Sequence, residues 1–205
     1  MSEAKTNWAM GTPAVLYMVG CCCVMLFALL YGLVNPGAIP LVAVVFIVCG
    51  IAALILGKIE LARGDILLGS IDMVFGALIF MGLGVVLATV AWSWANLAAA
   101  PAILQPDLKM AAFLSWGIAI ALLLFLPNVG KVSWSLFLFF LVLAVGVVLV
   151  GVGLWSGANF GAPIMKLGGI LVLLFGLFAY YAGTVFITNT VYQAPKLPIG
   201  GPIIK

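Results

Sequence analysis

The sequence predicts an all-α membrane protein with six transmembrane helices, on the strength of three observations. Hydrophobic residues make up 67% of the 205-residue chain and charged residues only 6%, whereas about a quarter of the residues of a soluble domain are charged. Six apolar runs are long enough to cross a bilayer as helices, which takes about 20 residues each. Turn-forming residues separate these runs. A chain so poor in charge cannot cover a surface that faces water.

The six runs follow one another along nearly the whole chain. They are Ala14–Val34, Ile39–Gly57, Ile66–Trp92, Met110–Leu126, Trp134–Leu154 and Lys166–Thr190. The breaks are NPGA (Asn35–Ala38), GKIELARGD (Gly57–Asp65), LPNVGK (Leu126–Lys131), SGANFGAP (Ser156–Pro163) and a longer loop, Ser93–Lys109, with Pro101 and Pro106. This division gives an N-terminal segment (1–13), a six-helix domain (14–190) and a C-terminal tail (191–205).

The distribution of positive charge predicts the orientation of the helices. With six spans, one side holds both termini and the second and fourth loops, where six basic residues lie: Lys5, Lys58, Arg63, Lys131, Lys196 and Lys205. The other side holds only Lys109 and Lys166. Because cytoplasmic loops carry an excess of Lys and Arg, both termini are expected in the cytoplasm.

Regularly spaced glycines predict close packing of the helices. Gly169, Gly176 and Gly183 recur every seven residues in the sixth run, and Gly69 and Gly76 do so in the third. Stripes of small residues let helix backbones approach closely in a bilayer.

Polar side chains within the runs are few, and they suggest a path for a weakly held solute. Tyr181, Thr184 and Thr188 share one helical face by their spacing. The candidate substrate path consists of Ser70, Ser135, Tyr181, Thr184 and Asn189. The competing interpretation is that these groups form hydrogen bonds between helices.

The residue inventory argues against an enzyme. The chain has no His, the commonest general base, and it shows no Ser/His/Asp set and no phosphate-binding glycine loop. Cys21, Cys22, Cys23 and Cys49 lie in apolar runs without metal-ligand spacing, so they are expected to pack. We therefore expect no catalytic residue, no cofactor and no metal. The small, scattered net charge of +3 gives no reason to expect a nucleic-acid partner.

Several stretches together resemble the acetate uptake transporter family, which includes the succinate–acetate permeases. The piece MGTPAVL (Met10–Leu16) matches the opening of the family's first helix through Pro13 and Leu16. CGIAALILGKIELARGD followed by LLGSIDMVFGALIF matches through Glu60, Gly64, Phe75 and Gly76, and SWGIAIALLLFL matches through Trp116 and Gly117. SLFLFFLVL matches the aromatic-rich fifth helix, and LPIG (Leu197–Gly200) is a family ending.

The resemblance implies a homo-hexamer in the plasma (inner) membrane, with a six-helix pore in each protomer. It implies a channel or permease for acetate and related small monocarboxylates, with succinate as a further candidate and proton linkage undecided. The family's constriction of Phe, Tyr and Leu falls on Val19, Phe75 and Leu141. A family glutamine falls on Ala53 and a family glutamate on Phe186. The alternatives are a channel for neutral solutes such as urea, amides or undissociated acids, and a membrane scaffold that transports nothing.

Asp72 is a carboxylate inside an apolar run, and the family normally has no acid there. At 1.5 Å per residue it lies about 10 Å along the helix from Asp65, so it is expected near the cytoplasmic edge of the hydrocarbon. One interpretation is that Asp72 pairs with Lys58 or Arg63 or faces a water-filled vestibule. The other is a proton site at the cytoplasmic mouth, beside the neck at Phe75.

Overall fold

The computed structural model describes residues 11–96 and 107–203 and confirms the predicted class. Within those ranges it has six helices long and apolar enough to cross a membrane and no strand. They are α1 (Thr12–Tyr31), α2 (Ile39–Ala62), α3 (Ile66–Asn96), α4 (Lys109–Val132), α5 (Trp134–Trp155) and α6 (Pro163–Val191). Pro101, Pro106, Lys5 and Lys205 lie outside the described residues.

The helices pack in a closed ring that follows chain order. Each helix packs on the next one, and α6 returns to pack along α1. The contact between α3 and α4 is the sparsest in the ring. Because successive helices alternate in direction, the start of α1 and the end of α6 lie at the same end of the bundle. We call this the tail end.

The predicted break LPNVGK at Leu126–Lys131 is wrong. Helix α4 continues through Pro127 to Val132, although an internal proline removes one backbone hydrogen bond. Val129 is buried, so packing of the last turns keeps the segment helical. The chain turns instead at Ser133, which has extended backbone angles (φ −159°, ψ 134°) and caps α5 by accepting a hydrogen bond from the N–H of Leu136.

Close approach of backbones at glycine confirms the predicted packing. A Cβ atom on Gly76 would lie 3.0 Å from the Gly50 carbonyl oxygen of α2, and one on Gly176 would lie 2.5 Å from Cβ of Cys23 in α1. Real Cβ atoms essentially never show a contact under 3.0 Å, and a contact of 3.0 Å is tighter than nine in ten of theirs, so the neighbour would have to shift in both places. Close packing of α2 on α3 and of α1 on α6 therefore depends on these glycines.

Helix α3 changes its winding at the middle of the bundle. It is α-helical from Ile66 to Val74, becomes a π-helix from Phe75 to Gly82, and is α-helical again from Leu83 to Asn96. π-Helical turns are rare and often occur at functional sites. The transition begins at Phe75, the aromatic residue that the sequence places at a constriction.

The segment after α6 folds back over the tail end. The side chain of Asn189 donates to the Leu197 carbonyl at 2.9 Å and accepts from the Leu197 N–H at 3.0 Å. The N–H of Trp134 donates to the Gly201 carbonyl at 2.9 Å, and that of Ile203 to the Gly130 carbonyl at 2.9 Å. Residues 197–203 are thus bound to α4, α5 and α6.

Candidate functional site

Three small, mainly apolar cavities lie in series inside the ring. The tail-side cavity has a volume of about 40 Å³, the middle cavity about 30 Å³ and the far cavity about 80 Å³. Val19 and Phe75 line both the tail-side and the middle cavity. The middle and far cavities share four lining residues, Leu26, Leu83, Val147 and Val172. Shared walls place the cavities next to one another, from one end of the bundle towards the other.

Three phenylalanine rings close the space between the tail-side and middle cavities. The ring of Phe75 in α3 lies 6.0 Å from that of Phe140 in α5 and 6.0 Å from that of Phe175 in α6, centroid to centroid. Phe140 and Phe175 are 5.9 Å apart. All three are buried, as is Val19 of α1. We call Val19, Phe75, Phe140 and Phe175 the aromatic neck.

The structure brings two of the three sequence-predicted constriction residues to this neck. Val19 and Phe75 line it, whereas Leu141 is half-buried and lines none of the three cavities. Phe140, one residue earlier, lines the tail-side cavity. The sequence analysis missed Phe140 and Phe175, although both lie in aromatic-rich stretches. Phe186 lines the tail-side cavity.

The five candidate path residues line none of the three cavities. Ser135 donates to the Ile199 carbonyl, and Tyr181 donates to the Pro198 carbonyl at 2.5 Å. Asn189 binds Leu197, as described above. Thr184 donates to the Tyr180 carbonyl at 2.9 Å and lies 2.7 Å from the Tyr17 hydroxyl. Ser70 is half-buried. The polar groups of Ser135, Tyr181 and Asn189 therefore hold the tail.

Asp72 lines the tail-side cavity and is only 2% exposed. Its Oδ2 accepts a hydrogen bond from the Thr12 hydroxyl at 3.0 Å. Apart from these two residues, the wall of this cavity is made of apolar side chains. Asp72 forms no ion pair within residues 11–96 and 107–203, so the expected pairing with Lys58 or Arg63 is not found there.

Glu60 is a second buried carboxylate at the tail end, and the sequence analysis did not assign it a role beyond the family match. Its Oε1 accepts hydrogen bonds from the backbone N–H groups of Gly11 and Thr12 at the start of α1. Negative charge is stabilised there by the helix dipole. Its Oε2 lies 3.6 Å from Arg63 Nη1. Glu60 thus fixes the first turn of α1, which holds Thr12 beside Asp72.

The cavity walls offer little to a charged ligand or a metal. Among the residues that the structure describes, no Lys or Arg lines any of the three cavities. Cys22 and Cys23 line the middle cavity as buried thiols. Within the described ranges, no three metal-ligating side chains come together. Such walls suit a small solute that is held weakly.

Comparison with solved structures gives a match that covers nearly the whole chain. No protein-family model matches the chain, and no curated protein matches it. A solved structure of the bacterial acetate channel SatP superposes with a TM-score of 0.77 at 20% sequence identity, over 95% of this chain and 100% of that one. The fold implied by the sequence resemblance is therefore confirmed: this chain has the fold of a helical membrane channel.

Proposed function

We propose that this protein is a membrane channel for acetate and related small monocarboxylates, and a member of the acetate uptake transporter family. The observation that supports this most strongly is the shared fold with the bacterial acetate channel SatP over 95% of the chain. Cavities in series and a narrow aromatic neck inside the ring are consistent with a solute path along the bundle axis. A scaffold that only packs or binds partners has no need of such cavities.

The dimensions and chemistry of the path favour small monocarboxylates over succinate. A cavity of about 40 Å³ has room for a few water molecules, since one water needs roughly 10–15 Å³. A second carboxylate would lose its hydration without a cation on the wall to replace it. Weak binding at apolar walls also meets the second need of a channel, which is release of the solute.

Passage requires the neck to open, and the structure suggests how. The Phe75 and Phe175 rings are nearly parallel, with 19° between their planes, and both border the tail-side cavity. Phe75 is the first residue of the π-helical segment. Rotation of this ring, allowed by the change of winding, would join the tail-side cavity to the middle one. We assign the neck of Val19, Phe75, Phe140 and Phe175 as the gate.

The cellular setting forms part of the proposal. We place the chain in the plasma (inner) membrane with both termini in the cytoplasm, as the basic residues indicate. We also propose a hexamer, which the resemblance implies. The hydroxyl pair of Tyr17 and Thr184 supports an oligomer, since it lies on the exposed outer face between α1 and α6. A neighbouring protomer would pack on this face, where the two hydroxyls already bond to each other and to the Tyr180 carbonyl.

The test is acetate flux in proteoliposomes with two matched phenylalanine variants. Phe75→Ala should raise the acetate current about tenfold, which corresponds to lowering the barrier at the neck by about 1.4 kcal/mol. Phe139→Ala is the control, because Phe139 stacks on Phe178 at 4.0 Å and lines none of the three cavities. Leu141→Ala should also leave the current unchanged. Absence of acetate or acetic acid flux in a correctly assembled protein would refute the proposal.

A channel for small neutral solutes is the second candidate, and one observation favours it. The described cavity walls carry no cation and few hydrogen-bond donors that are free to meet an anion. Such a channel would pass urea or acetamide without electrical current. The same measurements of flux and current distinguish the two candidates.

A further inference from the structure

Among residues 11–96 and 107–203, Asp72 is the one ionisable side chain on the wall of the tail-side cavity. It lies in α3 three residues before Phe75, at the tail-end side of the aromatic neck. The residue is only 2% exposed, yet it borders the cavity. Any solute that reaches the neck from the tail end therefore passes close to this group.

The groups around Asp72 do not neutralise it. From α1, Thr12 donates its hydroxyl to Oδ2, while Oδ1 accepts no hydrogen bond from the residues that the structure describes. From α2, Arg63 pairs with Glu60. Glu60 and Asp65 are both like charges that act on Asp72. Lys58 of α2 and Lys131 of α4 are exposed, and neither is within ion-pair distance of it.

The part of the cavity wall that the structure describes therefore offers an acceptor and no free donor. The Thr12 hydroxyl is already used by Asp72, and the remaining wall residues, such as Val15, Leu68 and Leu136, are apolar. An anion about 6 Å from an ionised Asp72, at an effective dielectric constant of about 20, is disfavoured roughly a hundredfold. An uncharged solute with an N–H or O–H group can instead donate to Oδ1 and turn its apolar part to the wall.

We propose that Asp72 is a charge filter, whose free carboxylate oxygen binds uncharged solutes that donate a hydrogen bond and excludes their anions. The solutes that fit are short amides and undissociated short carboxylic acids. This inference rests on the proposed channel function and names the form of the solute that passes the neck. No residue role in the family resemblance supplies it, since the family normally has no acid at this position.

The experiment compares acetamide and acetate in proteoliposomes and planar bilayers. Acetamide has the shape of acetic acid but stays uncharged at every pH, so its flux is not confused with leakage of the acid through lipid. At pH 8 the wild type should pass acetamide readily, while its acetate current stays small. Asp72→Asn should raise the acetate current by about ten- to a hundredfold, because it removes the repulsion, and should lower the ratio of acetamide flux to acetate current.

Asp65→Asn is the matched control. Asp65 caps α3 by accepting a hydrogen bond from the Leu68 N–H at 3.0 Å, and it lines none of the three cavities. Asparagine also caps helices well, so this change removes one like charge without altering the wall. The control should leave the ratio nearly unchanged. An equal change in both variants would assign the effect to general surface charge and overturn the filter.

If Asp72→Asn does not fold, the wild type alone still tests the selectivity that the filter requires. Acetamide flux that exceeds acetate current at pH 8 supports this selectivity, and comparison with Asp65→Asn tests whether surface charge causes it. Acetate current without acetamide flux overturns the filter and leaves the acetate channel standing. A wild type that passes neither solute overturns both proposals.

Discussion

Gly200 should be required for the tail to stay bound over the bundle. Its backbone has φ +87°, and a Cβ atom there would lie 2.4 Å from Nε1 of Trp134. An L side chain in the left-handed region costs about 1–2 kcal/mol, and crowding of a packed ring costs about 1–3 kcal/mol. Because the indole can turn partly aside, we expect Gly200→Ala to weaken tail binding by about 2–4 kcal/mol. This corresponds to a rise of roughly 30- to 1000-fold in the released fraction.

The bond between Lys196 and Leu197 reports release of the tail. Both backbone groups of Leu197 are bound to Asn189, so trypsin needs local opening to cut there. When opening is fast relative to cleavage, the cleavage rate follows the population of the open form. Mass spectrometry of the released peptide should therefore show cleavage of Gly200→Ala at least about 30-fold faster than that of the wild type.

The adjacent glycine is the control. A Cβ on Gly201 meets no atom within 4 Å, and its φ is not positive. Gly201→Ala should cleave at nearly the wild-type rate, or slightly more slowly because alanine restricts the released chain. Equal cleavage of Gly200→Ala and wild type would refute the assignment of strain at this position. Equal acceleration of both variants would show that the tail tolerates a side chain at neither glycine, and that contact with Trp134 is not the cause.

Two further predictions concern the stability of the bundle. Gly76→Ala should destabilise the protein in detergent by about 1–3 kcal/mol, because its Cβ would meet backbone atoms of α2. Gly117→Ala is the control: its Cβ enters open space, so this variant should be as stable as the wild type or up to about 1 kcal/mol more stable. Equal melting temperatures of the two variants would contradict the packing argument. Arg63→Gln should cost about 3–5 kcal/mol, because it leaves the carboxylate of Glu60, which is 1% exposed, without its cation. Glu60→Gln should cost less, because the Arg63 side chain that it leaves is 29% exposed and the Gln amide oxygen can still accept from the N–H groups of Gly11 and Thr12. Chemical unfolding that reverses this order would contradict the role of Glu60 as a buried charge.

The number of helices was predictable from the sequence, but several of their ends were not. A helix that crosses a bilayer requires a long apolar run, so counting these runs predicts six helices. Helix α2 runs to Ala62 rather than Gly57 because Glu60 finds backbone donors at the start of α1. Helix α4 runs through Pro127 because Val129 is buried. Both extensions depend on contacts between distant segments, which local turn chemistry does not reveal.

The sequence analysis named Phe75, which lines the neck, but it did not name Phe140, which α5 contributes. Phe75 lies three residues after Asp72 and directly before Gly76, and its ring packs against those of Phe140 and Phe175. In α5 every residue from Leu136 to Leu143 has a large apolar side chain, and a shift of one residue turns a side chain by about 100° around the helix axis. Phe139 therefore stacks on Phe178, Phe140 enters the neck, and Leu141 is half-buried. Weak sequence similarity does not fix that rotation.

The positions of the Tyr181 and Thr184 hydroxyls explain why we assign the discrimination between solutes to Asp72. The spacing of Tyr181 and Thr184 shows that they share a face, but spacing cannot tell an inner face from an outer one. Tyr181 binds the tail carbonyl of Pro198, and Thr184 pairs with Tyr17 on the outer side. These polar groups are thus used to close the bundle and leave the axis to apolar walls. With donors removed from the path, the Asp72 carboxylate and the width of the neck are what remain to discriminate between solutes.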